Sequence, residues 1–393
     1  MKLRIGLIGC GNLGYPLAHY IGQLGFEELY VHDIEQDKAA KLRQTMERTH
    51  PSLQVKDCLE AGRLDVAILS LSGPQTTAFV TDRGNHALFA GRPVFVSLGR
   101  PNYDDRAAHR ALERYVVEHG ISLLFGFGLE PGLVEILMHY LASVHRGEIL
   151  SLDAVCGGVP QRPAPPLNYD LLFGERLPSL NRHALFKTGG RLGGCKRFDM
   201  KETRFVEGVG LLDAYHDGLS PYLLSEPGIE SIPDIRQQTA RWPGFFDCMR
   251  VMLSLGLLDE TPDCGNGTAP SDLTHAILRR NGKLEQNKPD ISFVEVSAQL
   301  RSGQQARARV VSIFDENTKL TGMAQLTSFV AAWAARQVAS ERDTCRSGLI
   351  LSHQFFDARK TEALLAAFRE HPCCMRADHV VETPSAAVEN QLA

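Results

Sequence analysis

Lys2-Leu3-Arg4-Ile5-Gly6-Leu7-Ile8-Gly9-Cys10-Gly11-Asn12-Leu13-Gly14 opens the chain, and Leu29-Tyr30-Val31-His32-Asp33 follows it closely. The first stretch reads as a short apolar strand running into a glycine turn. Pro16 to Gly22 then carries an apolar face at helical spacing, and Leu29 to His32 reads as a second strand that ends on an acid. Three glycines in a GxGxxG spacing mean little alone. Set between strand, helix, strand and acid, they read as a dinucleotide-binding turn. Gly9 permits the tight turn, Gly11 keeps a Cβ away from a pyrophosphate, and Gly14 lets the helix pack closely on the strand. Asn12 and Leu13 complete the turn, where backbone N–H groups and the positive end of the helix dipole face the phosphates. Asp33 lies about 20 residues on, where a carboxylate accepts hydrogen bonds from ribose hydroxyls. It would repel a 2′-phosphate, and Ile34 and Glu35 follow rather than an arginine, so the reading favours NAD over NADP.

Working outward, the alternation continues. Asp65 to Leu71, Pro93 to Leu98 and Ile121 to Phe125 read as buried strands, with helices over Thr76 to Ala90 and Asp104 to His119. Such alternation implies an α/β Rossmann fold, a doubly wound parallel sheet with helices on both faces. Ligands in these sheets lie beyond the carboxyl ends of the strands. That places Ser70, Ser72 and Pro74, Ser97 and Gly99, and Gly126 to Pro131 along the cofactor. After Pro131 the pattern changes. Leu133 to His145 reads as a helix, Ser151 to Val155 as a strand, and a Gly/Pro-dense loop runs from Gly157 to Tyr169. Phe293 to Leu300 and Ala308 to Phe314 alternate as a hairpin pair, and Gly322 to Val338 reads as a long helix. The basic run Lys187 to Lys201 reads as a solvated loop. The expected organisation is a Rossmann domain over 1–127, an α+β substrate and dimerisation domain over 128–320, helices from about 320 returning to the first domain, and a C-terminal extension over 340–393.

Composition narrows the function classes. With 44% hydrophobic and 22% charged residues the chain is an ordinary globular one, and a net charge of −4 gives no electrostatic reason for a nucleic acid or anionic membrane partner. No apolar run approaches the ~20 residues of a membrane span, and strand-like sequence at the very start leaves no room for a signal peptide. Nine cysteines lack a CxxC pair, and Cys373 and Cys374 are adjacent. That suits no metal site and implies free thiols in a reducing cytoplasm.

Beyond the glycine turn, several segments resemble the saccharopine dehydrogenase-like family, most of all its lysine 6-dehydrogenase branch. They are Gly128-Leu129-Glu130-Pro131-Gly132, Gly157-Gly158-Val159-Pro160, Pro165 to Tyr169, Ala214 to Gly218, Arg241-Trp242-Pro243-Gly244, Met249 to Leu258 and Phe314 to Thr318. They occur in family order across roughly Lys2 to Ser340. The chain departs from the lysine branch at Trp242, at Phe245 and at the acid Glu130. The resemblance implies an NAD-dependent oxidoreductase acting at a C–N bond of an amino acid, in a homodimer. Oxidation of the side-chain amine of L-lysine or a related diamino acid is one reading. Reductive condensation of an amine with an aldehyde, of the saccharopine or carboxynorspermidine kind, is another, and a non-catalytic cofactor-binding regulator is a third. The substrate is then a small amino acid or a polyamine-type amine.

Amine oxidation sets the chemistry of the site. An alkylammonium titrates near ~10.4 and must lose its proton before it gives up hydride, so a carboxylate or imidazole belongs beside it. Glu130, His216 and Asp217 are the candidates. A substrate carboxylate calls for a planar, bidentate donor, and Arg241 is the natural one. Asn168, Tyr169 and Tyr215 offer neutral hydrogen bonds. Structural readings stand beside these: Glu130 as a helix cap, Asp217-Gly218 as a turn, Arg241 as an ion-pair member and His216 as a surface residue.

Overall fold

The computed structural model describes residues 3–57, 64–87, 89, 92–170, 176–177, 183–262, 267–282, 288–341, 347–371 and 374–382. Two compact units emerge, neither of them a contiguous segment. Unit 1 comprises Met1–Ile136 and Ala324–Leu364; unit 2 comprises Leu137–Met323 and Leu365–Ala393.

Unit 1 begins with β1 (Arg4–Ile8), α1 (Gly14–Gln23), β2 (Glu28–His32), α2 (Gln36–Thr49) and β3 (Gln54–Asp57). It continues through β4 (Val66–Leu69), α3 (Gly73–Thr81), α4 (Arg83–His86), β5 (Val94–Ser97), α5 (Arg106–Glu118) and β6 (Ser122–Phe125), and the chain leaves it within α6 (Leu133–Val144). Val66-Ala67-Ile68-Leu69 is apolar throughout because a parallel strand is covered on both faces. The helix expected over Thr76 to Ala90 is broken: Asp82 ends α3 and accepts from Gly84 N to cap α4.

Unit 2 contains β7 (Ile149–Pro160), β8 (His183–Thr188), β9 (Arg191–Lys196), β10 (Lys201–Val206), β11 (Gly210–His216) and β12 (Asp234–Arg241). Then come α7 (Phe245–Ser254), α8 (Pro270–Arg280), β13 (Asp290–Leu300) and β14 (Gln305–Ile313). Along α9 (Gly322–Ser340) the chain returns to unit 1 and adds β15 (Gly348–Leu351) and α10 (Ser352–Phe355). Within α11 (Ala358–Glu370) it passes back to unit 2 and ends there with β16 (Cys374–Glu382). The residues expected as a separate extension are thus divided between the two sheets. Cys373 and the tail beyond Glu382 lie outside the described residues.

The first sheet runs β3-β2-β1-β4-β5-β6-β15, every pair parallel. The order reverses direction between β1 and β4, which opens a crevice at their carboxyl ends. This is the doubly wound Rossmann sheet. The second sheet runs β10-β11-β12-β7-β13-β14-β16 and is antiparallel except for β12 beside β7; the β8–β9 hairpin joins at β12. Glu207, just past β10 at one end of this order, pairs with Arg309 (2.9 Å) and Arg376 (2.6 Å) at the other, so the sheet curls. One face holds an apolar core that includes Val155, Leu212, Phe293 and Val311. The opposite face packs against α7, with Tyr169, Phe198, Tyr215, Phe245 and Phe246 in one aromatic cluster. The run Lys187 to Lys201, expected as a solvated loop, forms most of the β8–β9 hairpin and a turn that buries Arg197.

Candidate functional site

Unit 1 carries a cradle at the carboxyl ends of β1, β4 and β5. Gly9 has φ +93°, and a Cβ on it would sit 2.6 Å from the Ser70 carbonyl oxygen, so the turn demands glycine for its own sake. Gly11 differs. A Cβ there would meet no protein atom within 4 Å, so nothing in the chain itself requires a glycine at this position. The open space in front of Gly11 fits a pyrophosphate approaching the backbone. Gly14 opens α1, and its N–H donates to the Gly11 carbonyl (2.9 Å). A Cβ on Gly14 would make ordinary contacts with Cys10 (3.5 Å), Leu42 (3.6 Å) and the Gly9 carbonyl oxygen just past β1 (3.9 Å). No acid stands in the first turn of α1, which leaves its positive end for an anion.

Asp33 follows β2. Its two oxygens accept from Cys10 N (2.7 Å) and Glu35 N (2.8 Å), tying the glycine turn to the acid. Lys38, the nearest cation along the chain, pairs with Glu35 (2.6 Å). Ser72 caps α3 in a reciprocal bond with Gln75, with Pro74 in the first turn. Ser97, by contrast, is fully buried: its hydroxyl bonds Thr76 (2.7 Å) and accepts from Gly99 N (3.0 Å). Its side chain therefore shapes the loop. Gly73 and Gly99 let the loops after β4 and β5 meet backbone to backbone, since a Cβ on Gly73 would lie 2.1 Å from the Arg100 carbonyl oxygen.

Glu130 lies beyond β6 in the same unit. Its carboxylate holds the Arg100 guanidinium (2.6 Å), and Arg100 stacks 4.3 Å above the Tyr103 ring. The helix cap foreseen for Glu130 belongs to another acid: Gly132 N donates to Glu135 (2.7 Å), which is buried and whose carboxyl is pushed up by desolvation.

In unit 2 strand alternation decides which candidates meet. On paired β11 and β12, Asp213 lies opposite Arg241 and Tyr215 opposite Thr239. These four share a face, joined by Asp217 just past β11 and by Cys156, opposite Thr239 on β7. His216 falls between Tyr215 and Asp217 and so points to the other face. There its ring lies 4.9 Å from Phe186, and burial pushes its pKa down. It does not join the other candidates.

On the shared face, Arg241 is buried and stacks 5.4 Å from the Tyr169 ring centre. Nη1 donates to the Ala240 carbonyl (2.8 Å), while Nε has no partner. Among the described residues no carboxylate pairs with it. Tyr215 is fully buried, its hydroxyl has no partner, and burial pushes its pKa up to about 12, so at neutral pH it remains a donor. Asn168, at φ +50°, donates to the Pro243 carbonyl (2.8 Å), clamping the Tyr169 loop onto the segment after Arg241. Asp217 accepts on one oxygen from both Arg197 (2.6 Å) and Thr239 (2.5 Å). Sequence reasoning missed Arg197, Thr239 and Cys156. The polar residues at every second position, 237-239-241 and 213-215-217, carried the signal for the strand residues.

Among the described residues no helix is long and apolar enough to cross a membrane, and no group of three or more His, Cys, Asp or Glu could hold a metal ion. The fold matches the apo saccharopine dehydrogenase (L-Glu forming) of Saccharomyces cerevisiae at a TM-score of 0.73 and 15% identity, over 96% of this chain and 100% of that one. It also matches the homospermidine synthase of Legionella pneumophila, determined in complex with NAD, at a TM-score of 0.58 and 10% identity, over 100% of this chain and 94% of that one. The saccharopine dehydrogenase C-terminal domain profile matches residues 128–372, more than half of the chain. On that match, with the Rossmann sheet before it, the chain belongs to the saccharopine dehydrogenase family.

Proposed function

We propose that this chain is an NAD-dependent oxidoreductase acting at a C–N bond of an amino acid, with oxidation of the side-chain amine of L-lysine or a related diamino acid as its reaction. The observation that carries this reading is Arg241, a buried guanidinium with an orphan Nε and no carboxylate of its own among the described residues. A substrate carboxylate satisfies it, with the Tyr215 hydroxyl as a second donor. The aromatic wall of Tyr169, Phe198 and Phe245 keeps water away. NAD, when bound, supplies the hydride acceptor; Gly9 to Gly14 hold its pyrophosphate and Asp33 its ribose. Glu130 is the proposed proton acceptor. Both acids are ion-paired, Glu130 to Arg100 and Asp217 to Arg197; Glu130 is preferred because it lies beyond β6 in the unit that carries the glycine turn. A homodimer is also proposed. Its contacts exclude the backbone edges of β13 and β14, which β7 and β16 fill.

Condensation of an amine with a carbonyl compound is the second reading, favoured by membership in the saccharopine dehydrogenase family. NADH absorbance separates the two. Deamination forms NADH from NAD and an amine alone, whereas condensation consumes NADH only when amine and aldehyde or 2-oxo acid are both present. Absence of turnover across a broad panel of both kinds overturns the oxidoreductase reading. NAD should be preferred over NADP, and Asp33→Ala with Ile34→Arg should reverse the preference. Equal turnover of both cofactors by the unaltered protein would remove Asp33 from that role.

A further inference from the structure

Gln237 stands two residues before Thr239 and four before Arg241 on β12, so strand alternation puts the three on one face. It is 2% exposed, and Ala154 of β7, a small residue, lies opposite it. A line of hydrogen bonds decides which way its amide points. Thr239 Oγ1 donates to Asp217 (2.5 Å), so its one hydrogen is spent and it can only accept from Cys156 Sγ (3.9 Å). Cys156 has one S–H, so towards Gln237 its sulfur can only accept, and Gln237 Nε2 donates to it (3.7 Å). The amide oxygen is thereby turned away from this line. Among the described residues Gln237 Oε1 has no hydrogen-bond partner. Arg241 Nε and the Tyr215 hydroxyl, buried on the same face, lack partners as well. Those two offer hydrogens, whereas the amide oxygen can only accept one.

We infer that Gln237 is a further substrate-binding residue: its amide oxygen accepts from an ammonium group of the amino acid whose carboxylate Arg241 holds. The inference rests on the assignment of Arg241 as carboxylate holder and deepens it. A bare carboxylate would satisfy the donors alone and leave the amide oxygen buried without a hydrogen. An amino acid brings both charges, so its ammonium offsets what the orphaned acceptor costs. The neutrality of the amide matters. A carboxylate at this position would draw on the Arg241 guanidinium itself, whereas an amide oxygen takes the ammonium and leaves that charge to the substrate. Four residues of strand separate the Cα atoms of Gln237 and Arg241 by about 13 Å, so the two side chains meet the ligand at different points. An α-ammonium and a side-chain ammonium share this chemistry.

The test compares three straight six-carbon acids by calorimetric titration of the protein saturated with NADH, so that no amine is oxidised. L-Norleucine carries an α-ammonium, 6-aminohexanoate a terminal one and hexanoate none. The unaltered protein should bind at least one of the ammonium-bearing acids roughly tenfold more tightly than hexanoate, and the tighter of the two names the ammonium held. Gln237→Met should bring that advantage to within about twofold, with hexanoate affinity unchanged. It trades an orphaned acceptor and one weak bond to sulfur for apolar volume, so it should melt no lower than the unaltered protein. Gln237→Leu repeats the comparison with a second shape. No ammonium advantage in the unaltered protein, an advantage that survives in either folded variant, equal weakening of all three ligands, or failure of both variants to fold each overturn the inference. Arg241→Met tells the two failures apart. If it abolishes binding of all three acids while the Gln237 ratios disobey, the carboxylate assignment stands and the role of Gln237 falls. If hexanoate binds it undiminished, or the unaltered protein binds none of the three, the assignment itself fails, and the inference with it.

Discussion

A guanidinium that forms no ion pair is costly to bury, and Arg241 forms none with the described residues, although Asp213 lies opposite it on β11. The cost has two measurable sides. Arg241→Met should leave the ligand-free protein at least as stable, because a charge with no ion pair among the described residues gives way to apolar volume beside Tyr169. Once a substrate is found, Arg241→Lys should lose about 2–4 kcal/mol in kcat/KM, since an ammonium cannot reproduce the planar fork. A structural arginine would show the reverse: a lower melting temperature and unchanged kinetics in the protein that remains folded. Melting curves beside kinetics of both variants decide. At this scale the sequence was partly legible. Arg241 and Tyr215 fall in segments with family character, and strand pairing puts them on one face. Arg197 was not legible, because a run rich in Lys and Arg looks like a solvated loop until its partner, Asp217, is brought to it by the pairing of β10 with β11. His216 lies apart from Arg241 and Tyr215, since adjacency in sequence on a strand means opposite faces in space.

Among elements, the turns are the best test of what each glycine is for. Gly73→Ala puts a Cβ 2.1 Å from a backbone oxygen that cannot step aside, so it should lower the melting temperature. Gly11→Ala meets only open space, so it should leave stability within ~0.5 kcal/mol while weakening NAD binding by tenfold or more, about 1.4 kcal/mol. Titration with NAD beside thermal melts checks both, and a Gly11→Ala variant with intact NAD affinity would show that no phosphate lies there. A second element-level prediction concerns α9. The buried Asp290 accepts from Gly322 N (2.6 Å) and Met323 N (3.0 Å) at the start of that helix, and from Ser292 Oγ (3.0 Å). Burial outweighs these bonds and raises its pKa from 3.8 to about 6. A carboxyl with a raised folded pKa binds its proton more tightly in the folded state, so its contribution to stability falls as pH rises from about 4 to about 6. Asp290→Asn carries no such proton. Across that window the unaltered protein should therefore lose stability relative to the variant, by on the order of 3 kcal/mol at most. Parallel denaturant melts at pH 4, 5, 6 and 7 check it; a constant difference would mean that Asp290 is ionised throughout. The helix itself was plain in the sequence, from its apolar run. Its cap was not, because Asp290 lies 32 residues earlier.

For the molecule as a whole, the interleaved path of the chain limits how it can be cut. The glycine turn, the strand alternation and the change after Pro131 made two domains and a parallel sheet legible, and they suggested a first domain ending near residue 127. Periodicity could not show that the sheet is completed from the far end of the chain. Gly348-Leu349-Ile350-Leu351 is only four residues long, and it pairs with β6 from more than 200 residues away. What it brings is substantial. Phe329 of α9 meets Tyr20 edge-on at 5.3 Å, Trp333 stacks on Phe356 at 5.4 Å, and Phe127 packs against Phe355 at 5.7 Å. Arg336 also donates to the Leu24 carbonyl (3.1 Å). Each large apolar side chain so buried contributes about 1.5–3 kcal/mol, and a domain has only ~5–15 kcal/mol in all. A fragment of residues 1–136 should therefore be unfolded or aggregated, with the β6 edge open and Tyr20 and Phe127 exposed, although it holds the whole glycine turn and Asp33. Joining residues 324–364 to it through a flexible Gly/Ser linker should restore a folded unit 1. Because NAD would bind only the folded form, saturating NAD at ~100 times its dissociation constant should add about 2.7 kcal/mol to the stability of that chimera. Circular dichroism and thermal melts with and without NAD make the comparison. A soluble, NAD-binding 1–136 fragment would show that β15 and α9 are ornaments on a domain that folds without them. A chimera that folds but ignores NAD would leave the architecture intact and remove the cofactor from the Gly9–Gly14 cradle.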